Sequence, residues 1–340
     1  MSRTAYISSI EYYLPEKTLT NEQINIEHPE WAVDKISAKT GIFTRHLADE
    51  NEFSSDLGFK AASKLLVKNK EFKDKIDYLI FCTQTPDYLI PATACLLQDM
   101  LGLNKNIGAI DINMGCSGFV YGLSYANGLI CSEQAKNVLL VTSETYSKFI
   151  NPLDKNNKTI FGDGASATLI TASSNQNLKG AIKKFDFFTD GGEYDKLIVK
   201  NSGLKFRDNE YMDILNNEGG FIRNDGSLFM DGRAIFQFVC FQVPLNIELL
   251  LKKNNLKIEE IDLFIFHQSN AYMINFMRKI CKIPEHKFFV HLEDYANTVS
   301  STIPIALNEA IEQNKIKKGM KVLLTGYGVG LSVASTILEY

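Results

Sequence analysis

Residues 111–132 read DINMGCSGFVYGLSYANGLICS, and no charge falls between Asp111 and Glu133. A short apolar run, Ile107 to Ile112, leads in, and Asn113, Met114 and Gly115 then turn the chain. Behind Cys116, the residues Phe119, Leu123, Ala126 and Ile130 recur at spacings of four, three and four, the period of a helical face. Val120, Tyr121, Tyr125 and Leu129 make the other sides apolar, so the stretch predicts a helix buried all round. Gly115, Gly118 and Gly122 suit a close approach of other backbone, at roughly 1 kcal/mol each in helix propensity. The glycines, serines, Asn113 and Asn127 are too polar for a membrane span. Cys116 falls at the first turn, facing the positive end of the helix dipole. That position favours thiolate, predicts a lowered pKa and makes the residue a candidate nucleophile. Most intracellular cysteines are packing residues, so the assignment needs partners from elsewhere in the chain.

Bulk composition narrows the field. A length of 340 residues predicts about two domains' worth of core, and 45% apolar with 22% charged residues is ordinary for a soluble globular protein. A net charge of −4 with no basic cluster argues against general nucleic-acid binding. The N-terminal MSRTAYISSIEYYLPEK lacks the basic region and apolar core of a signal peptide. Six cysteines (82, 95, 116, 131, 240 and 281) show no CxxC pair, so reduced thiols in the cytoplasm are expected. The other five lie in apolar or strand-like contexts, which predicts Cys116 as the only readily acylated thiol.

Moving outward, the chain repeats itself. IDYLIFCTQT (76–85) is mirrored by IDLFIFHQSN (261–270) at an offset of 185, and NVLLVTSE (137–144) by KVLLTGYG (321–328) at 184. Between the second pair, FFVHLEDYANTVSSTIPIALNEAI (288–311) supplies strand, turn and helix where the first half has the Cys116 segment. The pattern predicts two βαβαβ-like halves with mostly parallel sheets covered by helices. Their expected limits are 1–173 for the half carrying cysteine and 233–340 for the half carrying His267 and Asn297. An irregular, polar connection or cap lies between them at 174–232. Loops at the carboxyl ends of strands bind ligands in such sheets, and four of them hold Cys116, His267, Asn297 and Gly326–Gly330. The glycine run is not a dinucleotide loop, because LSVASTILEY after it alternates like a strand.

With these residues assembled, the sequence resembles the thiolase-fold condensing enzymes, and most closely the 3-oxoacyl-acyl-carrier-protein synthase III family. The matching segments are TGIFTRH, QTPDYLIPATACLLQ, GCSGFVYGLS, FGDGASATL, HQSN, YANTVSSTIPIAL and GYGVGLS, spread over nearly the whole chain. The resemblance implies a layered α-β-α-β-α architecture and a homodimer. It implies that Cys116 takes an acyl group from an acyl-CoA and passes it to a malonyl group on acyl carrier protein. His267 and Asn297 would hold the enolate formed as carbon dioxide leaves. The oxyanion hole would be the backbone N–H groups of Cys116 and Val329. A non-decarboxylating acyltransferase acting on an amine or hydroxyl is the alternative on the same fold.

For the CoA tunnel the resemblance implies Trp31 stacking on adenine, with Lys39, Lys155 and Asn270 as further contacts. The two lysines stand where relatives commonly carry arginines, keeping the charge but not the bidentate fork. Tyr272 replaces a basic residue implicated in carrier docking, with Arg278 and Lys279 either a substitute patch or a solvated helix face. Ile90, in the loop from Pro86, would cross to a partner subunit and close its acyl pocket. The implied chemistry calls for no metal or redox cofactor, CoA entering as the substrate thioester. Nucleic-acid and membrane partners are not expected.

Overall fold

A computed structural model describes residues 3–173, 179–206 and 211–340 of the chain. Its main sheet has ten strands: β1 (Thr4–Tyr13), β2 (Tyr78–Cys82), β3 (Gly108–Ile112), β4 (Asn137–Glu144), β5 (Gly164–Ser173), β6 (Ala181–Thr189), β7 (Leu263–Phe266), β8 (Phe288–Phe289), β9 (Lys321–Gly328) and β10 (Ser332–Glu339). The helices that matter for the site are α1 (Val33–Thr40), α2 (Ser54–Lys68), α3 (Gly118–Cys131), α4 (Gly232–Asn254), α5 (Ala271–Ile280) and α6 (Thr302–Glu312).

The first five strands lie in the order β1-β5-β4-β2-β3 and the last five in the order β6-β10-β9-β7-β8. Both read first, fifth, fourth, second, third, so the repeat in sequence is a repeat in topology. β7 follows β2 by the same interval that separates IDLFIFHQSN from IDYLIFCTQT, and β9 and α6 follow β4 and α3 by one position fewer. The halves meet where β1 pairs with β6 at Tyr6 and Ala181. The sheets are mixed rather than mostly parallel: β2 pairs parallel with β3 and β4, but β5 runs antiparallel to β4 and β1. The second half repeats this, because only Val329 to Leu331 separate β9 from β10, and a parallel return needs a crossover of a dozen residues.

Alternation along the strands builds the layers. Ile80, Cys82, Val138 and Leu140 of one half, and Ile265, Val322 and Leu324 of the other, face a shared central core with Phe119, Leu123 and Ala126 of α3 and Ile303, Ala306 and Leu307 of α6. Their neighbours Leu79, Phe81, Leu139 and Val141 turn outward onto α2. Phe264, Phe266, Leu323 and Val333 turn outward onto α4 and α5. Strands buried on both faces read as continuous apolar runs, as these do. The result is the layered α-β-α-β-α arrangement, with α3 in the central layer. The close neighbours of its glycine cluster are side chains rather than backbone: a Cβ at Gly115, Gly118 or Gly122 would strike Gln84, Cys82 or Leu140.

One further expectation needs correction. The segment 174–232 is not wholly an irregular connection, since β6 within it is the first strand of the second half. The rest holds short pairs, Leu197–Ile198 with Phe229–Met230 and Ile214–Leu215 with Phe221–Arg223. Residues 174–178 and 207–210 lie outside those described. Among the described residues, α4 and not α3 is long and apolar enough to cross a membrane, by length and composition only. It buries Ile235, Val239, Val243, Ile247 and Leu250 and packs on β6 and β10 as a helix of the outer layer.

Candidate active site

The strand ends of the two halves open into one cavity of about 840 Å³, walled by Cys116, His267, Asn297, Tyr327 and Gly328 among others. Cys116 is 5% exposed and lies two residues before α3. The end of β9 is pressed against it: a Cβ at Gly328 would sit 2.7 Å from Cys116 Sγ, and one at Gly326 would sit 2.7 Å from its carbonyl oxygen. Gly328 also has φ +151°, a conformation side chains rarely adopt. This approach brings the Val329 amide to the sulfur. Burial dominates the thiol and pushes its pKa up to about 12, with the Val329 and Cys116 backbone N–H groups pulling the other way and Glu144 adding to the rise. The lowered pKa expected from the helix dipole is therefore wrong for the free enzyme. A buried sulfur loses more from missing water than a helix end returns.

His267 follows directly on β7, and its amide donates to Thr325 O at 2.8 Å. Its Nδ1 lies 2.7 Å from Thr302 Oγ1, and its ring meets Tyr327 edge-on at 5.6 Å. Burial lowers its pKa to about 3, so the imidazole is neutral. When the Thr302 hydroxyl donates to Nδ1, the proton resides on Nε2, the ring's remaining polar atom. Asn297 is held by its own backbone, its amide donating to Ile160 O and its carbonyl accepting from Gly162 N. Its Oδ1 accepts from Val299 N at 2.9 Å. With the oxygen engaged, the Nδ2 group is left as a donor. Ala296 and Val299 flank it with φ of 58° and 56°. Positive φ on a β-branched residue costs on the order of 1–3 kcal/mol and persists where the surroundings enforce it.

Phe161 lines the cavity, and the Asp163 that follows it is architectural. Asp163 is fully buried and accepts from Ala48 N and Ser147 N at 2.8 and 2.9 Å. Arg45 of TGIFTRH is also fully buried and donates to Asn21 and to the carbonyl of the cavity residue Thr159.

Toward the mouth, Lys39, Lys155 and Asn270 line the cavity. Asn270 also caps α5, its Oδ1 accepting from Met273 N at 2.9 Å. Trp31 is the exception. It does not line the cavity, is 7% exposed, and is covered by His28 in a parallel stack with centroids 3.7 Å apart. That face is not free for adenine. The free aromatic surface at the mouth is Tyr272, half exposed, stacked beside Phe236 at 5.8 Å, with Lys39 Nζ 5.2 Å from its ring. Arg278 does not join Lys279 in a docking patch, because its guanidinium turns to Ile283 O and Glu285. Ile90 is 87% exposed beside Tyr88 and Leu89, and it does not reach this chain's own cavity. Cys95 and Cys131 are exposed, so Cys116 is not the only accessible thiol.

Sequence reasoning missed Lys35 and Arg233, which add two cations to the wall. Lys35 stands four residues before Lys39, one turn away on the same face of α1, which was a readable signal. Arg233 gave none, since only the fold brings the start of α4 to the mouth.

A buried cysteine at the head of a central helix, met by a histidine and an asparagine from a duplicated half, defines an acyl-thioester enzyme of the thiolase fold. Family models described as 3-oxoacyl-[acyl-carrier-protein] synthase III match residues 110–191, and its C-terminal part matches residues 251–340. The chain is 38% identical to beta-ketoacyl-[acyl-carrier-protein] synthase III 2 of Staphylococcus epidermidis, covering 100% of this chain and 99% of that one. It is 36% identical to the protein of the same name from Halalkalibacterium halodurans, covering 99% and 96%. A crystal structure of a 3-oxoacyl-(acyl-carrier-protein) synthase III superposes with a TM-score of 0.95 at 41% identity, covering 99% of this chain and 100% of that one. The chain belongs to the 3-oxoacyl-acyl-carrier-protein synthase III family of condensing enzymes.

Proposed function

We propose that the chain condenses an acyl-CoA primer with malonyl-acyl carrier protein, giving 3-oxoacyl-acyl carrier protein, CoA and carbon dioxide. The sulfur of Cys116 attacks the acyl carbonyl, the C–S bond to CoA breaks, and the Cys116 proton ends on the CoA thiol. The carbonyl oxygen, anionic on the way, is received by the backbone N–H groups of Cys116 and Val329. CoA then gives way to the malonyl thioester. Its C–CO2 bond breaks, and the electron pair moves onto the thioester carbonyl oxygen, where Asn297 Nδ2 and His267 donate. The resulting carbon nucleophile attacks acyl-Cys116, the acyl–sulfur bond breaks, and the thiolate takes a proton from solvent.

One observation carries this reading: Asn297 and His267 meet in the cavity beside Cys116 as neutral groups placed to donate. Asn297 has its oxygen tied to Val299, and burial holds His267 neutral with a pKa near 3. Transfer to an amine or hydroxyl calls for proton removal by a group with a pKa close to the working pH. Enolate stabilisation calls for neutral donors, which the site has. Lys35, Lys39, Lys155 and Arg233 suit the phosphates of CoA.

The enzyme works in the cytoplasm as a homodimer. The exposed Tyr88, Leu89 and Ile90 lead into Thr93 and Ala94, whose amides donate to Asp111 of β3 at the end of the sheet, a surface suited to a second copy. The decisive experiment is intact-mass analysis with a panel of acyl-CoAs, with and without malonyl-acyl carrier protein, alongside carbon dioxide release. The expected result is an acyl adduct on Cys116 that is discharged only with malonyl thioester, one carbon dioxide per product. Discharge to an amine or hydroxyl without carbon dioxide overturns the proposal.

A further inference from the structure

The offset that relates β4 to β9 and α3 to α6 also carries Cys116 onto Ser300 and Glu144 onto Gly328. Where the open site has a thiol against a glycine, its twin has a hydroxyl against a carboxyl. The twin is closed. Glu144 is fully buried at the end of β4 and does not line the cavity. Its Oε1 accepts from Ser300 Oγ at 2.8 Å. Its Oε2 accepts from Gln84 N, Thr85 Oγ1 and Thr83 Oγ1 at 3.0, 3.2 and 3.4 Å. Burial pushes its pKa up to about 8 against the pull of these four donors.

Ser300 sits in the turn Val299–Ser301, between Asn297 and Thr302. Val299 N fixes the Asn297 amide, and Thr302 Oγ1, 3.1 Å from Val299 O, lies 2.7 Å from His267 Nδ1, where its single proton goes. Both groups that face the malonyl carbonyl thus hang on one turn, whose first residue has φ 56°. Ser301 ties the turn to Thr142 at 2.8 Å, and Ser300 ties it to Glu144.

We propose that Glu144 is a positioning residue for the condensation step. Its carboxyl, acting through Ser300, holds the 297–302 turn so that Asn297 and His267 present their donors together. This rests on the reading of that pair as enolate-stabilising. It touches neither substrate nor the reacting atoms.

The test separates the two half-reactions in the full-length enzyme. Acylation of Cys116 by acetyl-CoA is followed by intact mass, and decarboxylation of malonyl-acyl carrier protein by carbon dioxide release. Ser300→Ala is expected to leave acylation within about threefold and to slow decarboxylation roughly 10- to 100-fold. Ser300→Thr, which keeps the hydroxyl, is expected to restore most of that loss, and Glu144→Gln to fall between wild type and Glu144→Ala. Equal loss of both half-reactions in Ser300→Ala, or decarboxylation at the wild-type rate, overturns the proposal. Should Glu144→Ala fail to fold, the Ser300→Ala and Ser300→Thr pair still decides. A wild-type enzyme that acylates but never decarboxylates malonyl thioester overturns the underlying reading itself, a result distinct from an active wild type with an unaffected Ser300→Ala.

Discussion

Gly328→Ala tests whether the end of β9 is half of the reacting centre. The added methyl would lie 2.7 Å from Cys116 Sγ and 2.8 Å from Cys116 Cβ. That is about 1 Å inside the roughly 3.5–4.0 Å optimum for non-bonded carbon atoms. The backbone conformation at φ +151° costs an alanine about 1–3 kcal/mol, and overpacking adds about 1–3 kcal/mol, for a destabilisation of about 2–6 kcal/mol. Relief must come from moving Cys116 or the strand end that carries the Val329 amide. Either shift removes one oxyanion donor from its place, worth about 2.7–4 kcal/mol or a factor of about 10²–10³ in rate. Quenched-flow measurement of CoA release at saturating acetyl-CoA should show that loss in the acylation rate constant, in folded protein verified by denaturant melting. Gly128→Ala is the control: it lies inside α3 with open space around its Cβ, and should be neutral or stabilising by up to about 1 kcal/mol. Acylation by Gly328→Ala within threefold of wild type would refute the placement of β9 against the nucleophile.

Other outcomes follow from the same geometry. Because burial raises the Cys116 pKa to about 12, thiolate is the minor form at neutral pH. Its alkylation by iodoacetamide in the free enzyme should rise about tenfold per pH unit from pH 7 to 10, with exposed Cys95 and Cys131 labelled first at pH 8. A plateau at Cys116 by pH 8 would contradict the burial argument. His267→Ala and Asn297→Ala should form acyl-Cys116 within a few-fold of wild type yet lose about 10²–10³ in malonyl decarboxylation, read by mass and carbon dioxide release; loss of acylation alone would reverse the roles. Lys35→Ala with Lys39→Ala should raise KM for acetyl-CoA and flatten its salt dependence while leaving KM for acetyl-pantetheine unchanged, and an equal rise for both substrates would place the phosphates elsewhere. Tyr272→Arg should speed condensation with a generic acidic carrier protein at low salt, since a cation there steers encounter. An unchanged rate would show that the carrier docks away from α5.

The local and periodic features were legible in the sequence. Apolar runs at 76–85 and 261–270, the helical spacing behind Cys116, and the constant offset between the halves depend only on near neighbours and on repetition. They were enough for the duplicated α/β architecture and for singling out Cys116, His267 and Asn297, which the structure brings to one cavity. Tertiary structure decided what depends on distant neighbours. The sulfur of Cys116 has a raised rather than lowered pKa because two halves close over it, and no local pattern reports desolvation. Trp31 lost its role at the mouth to His28, only three positions away, because the turn before α1 lays one ring on the other. Arg233 and Lys35 joined the cavity because the starts of α4 and α1 converge there. Glu144 and Ser300 looked like ordinary strand-end and turn residues until the pseudo-twofold placed them where the other half has its glycine and its nucleophile. A side chain's chemistry is set by its surroundings, and in a duplicated fold half of those surroundings come from the other copy of the repeat, far away along the chain.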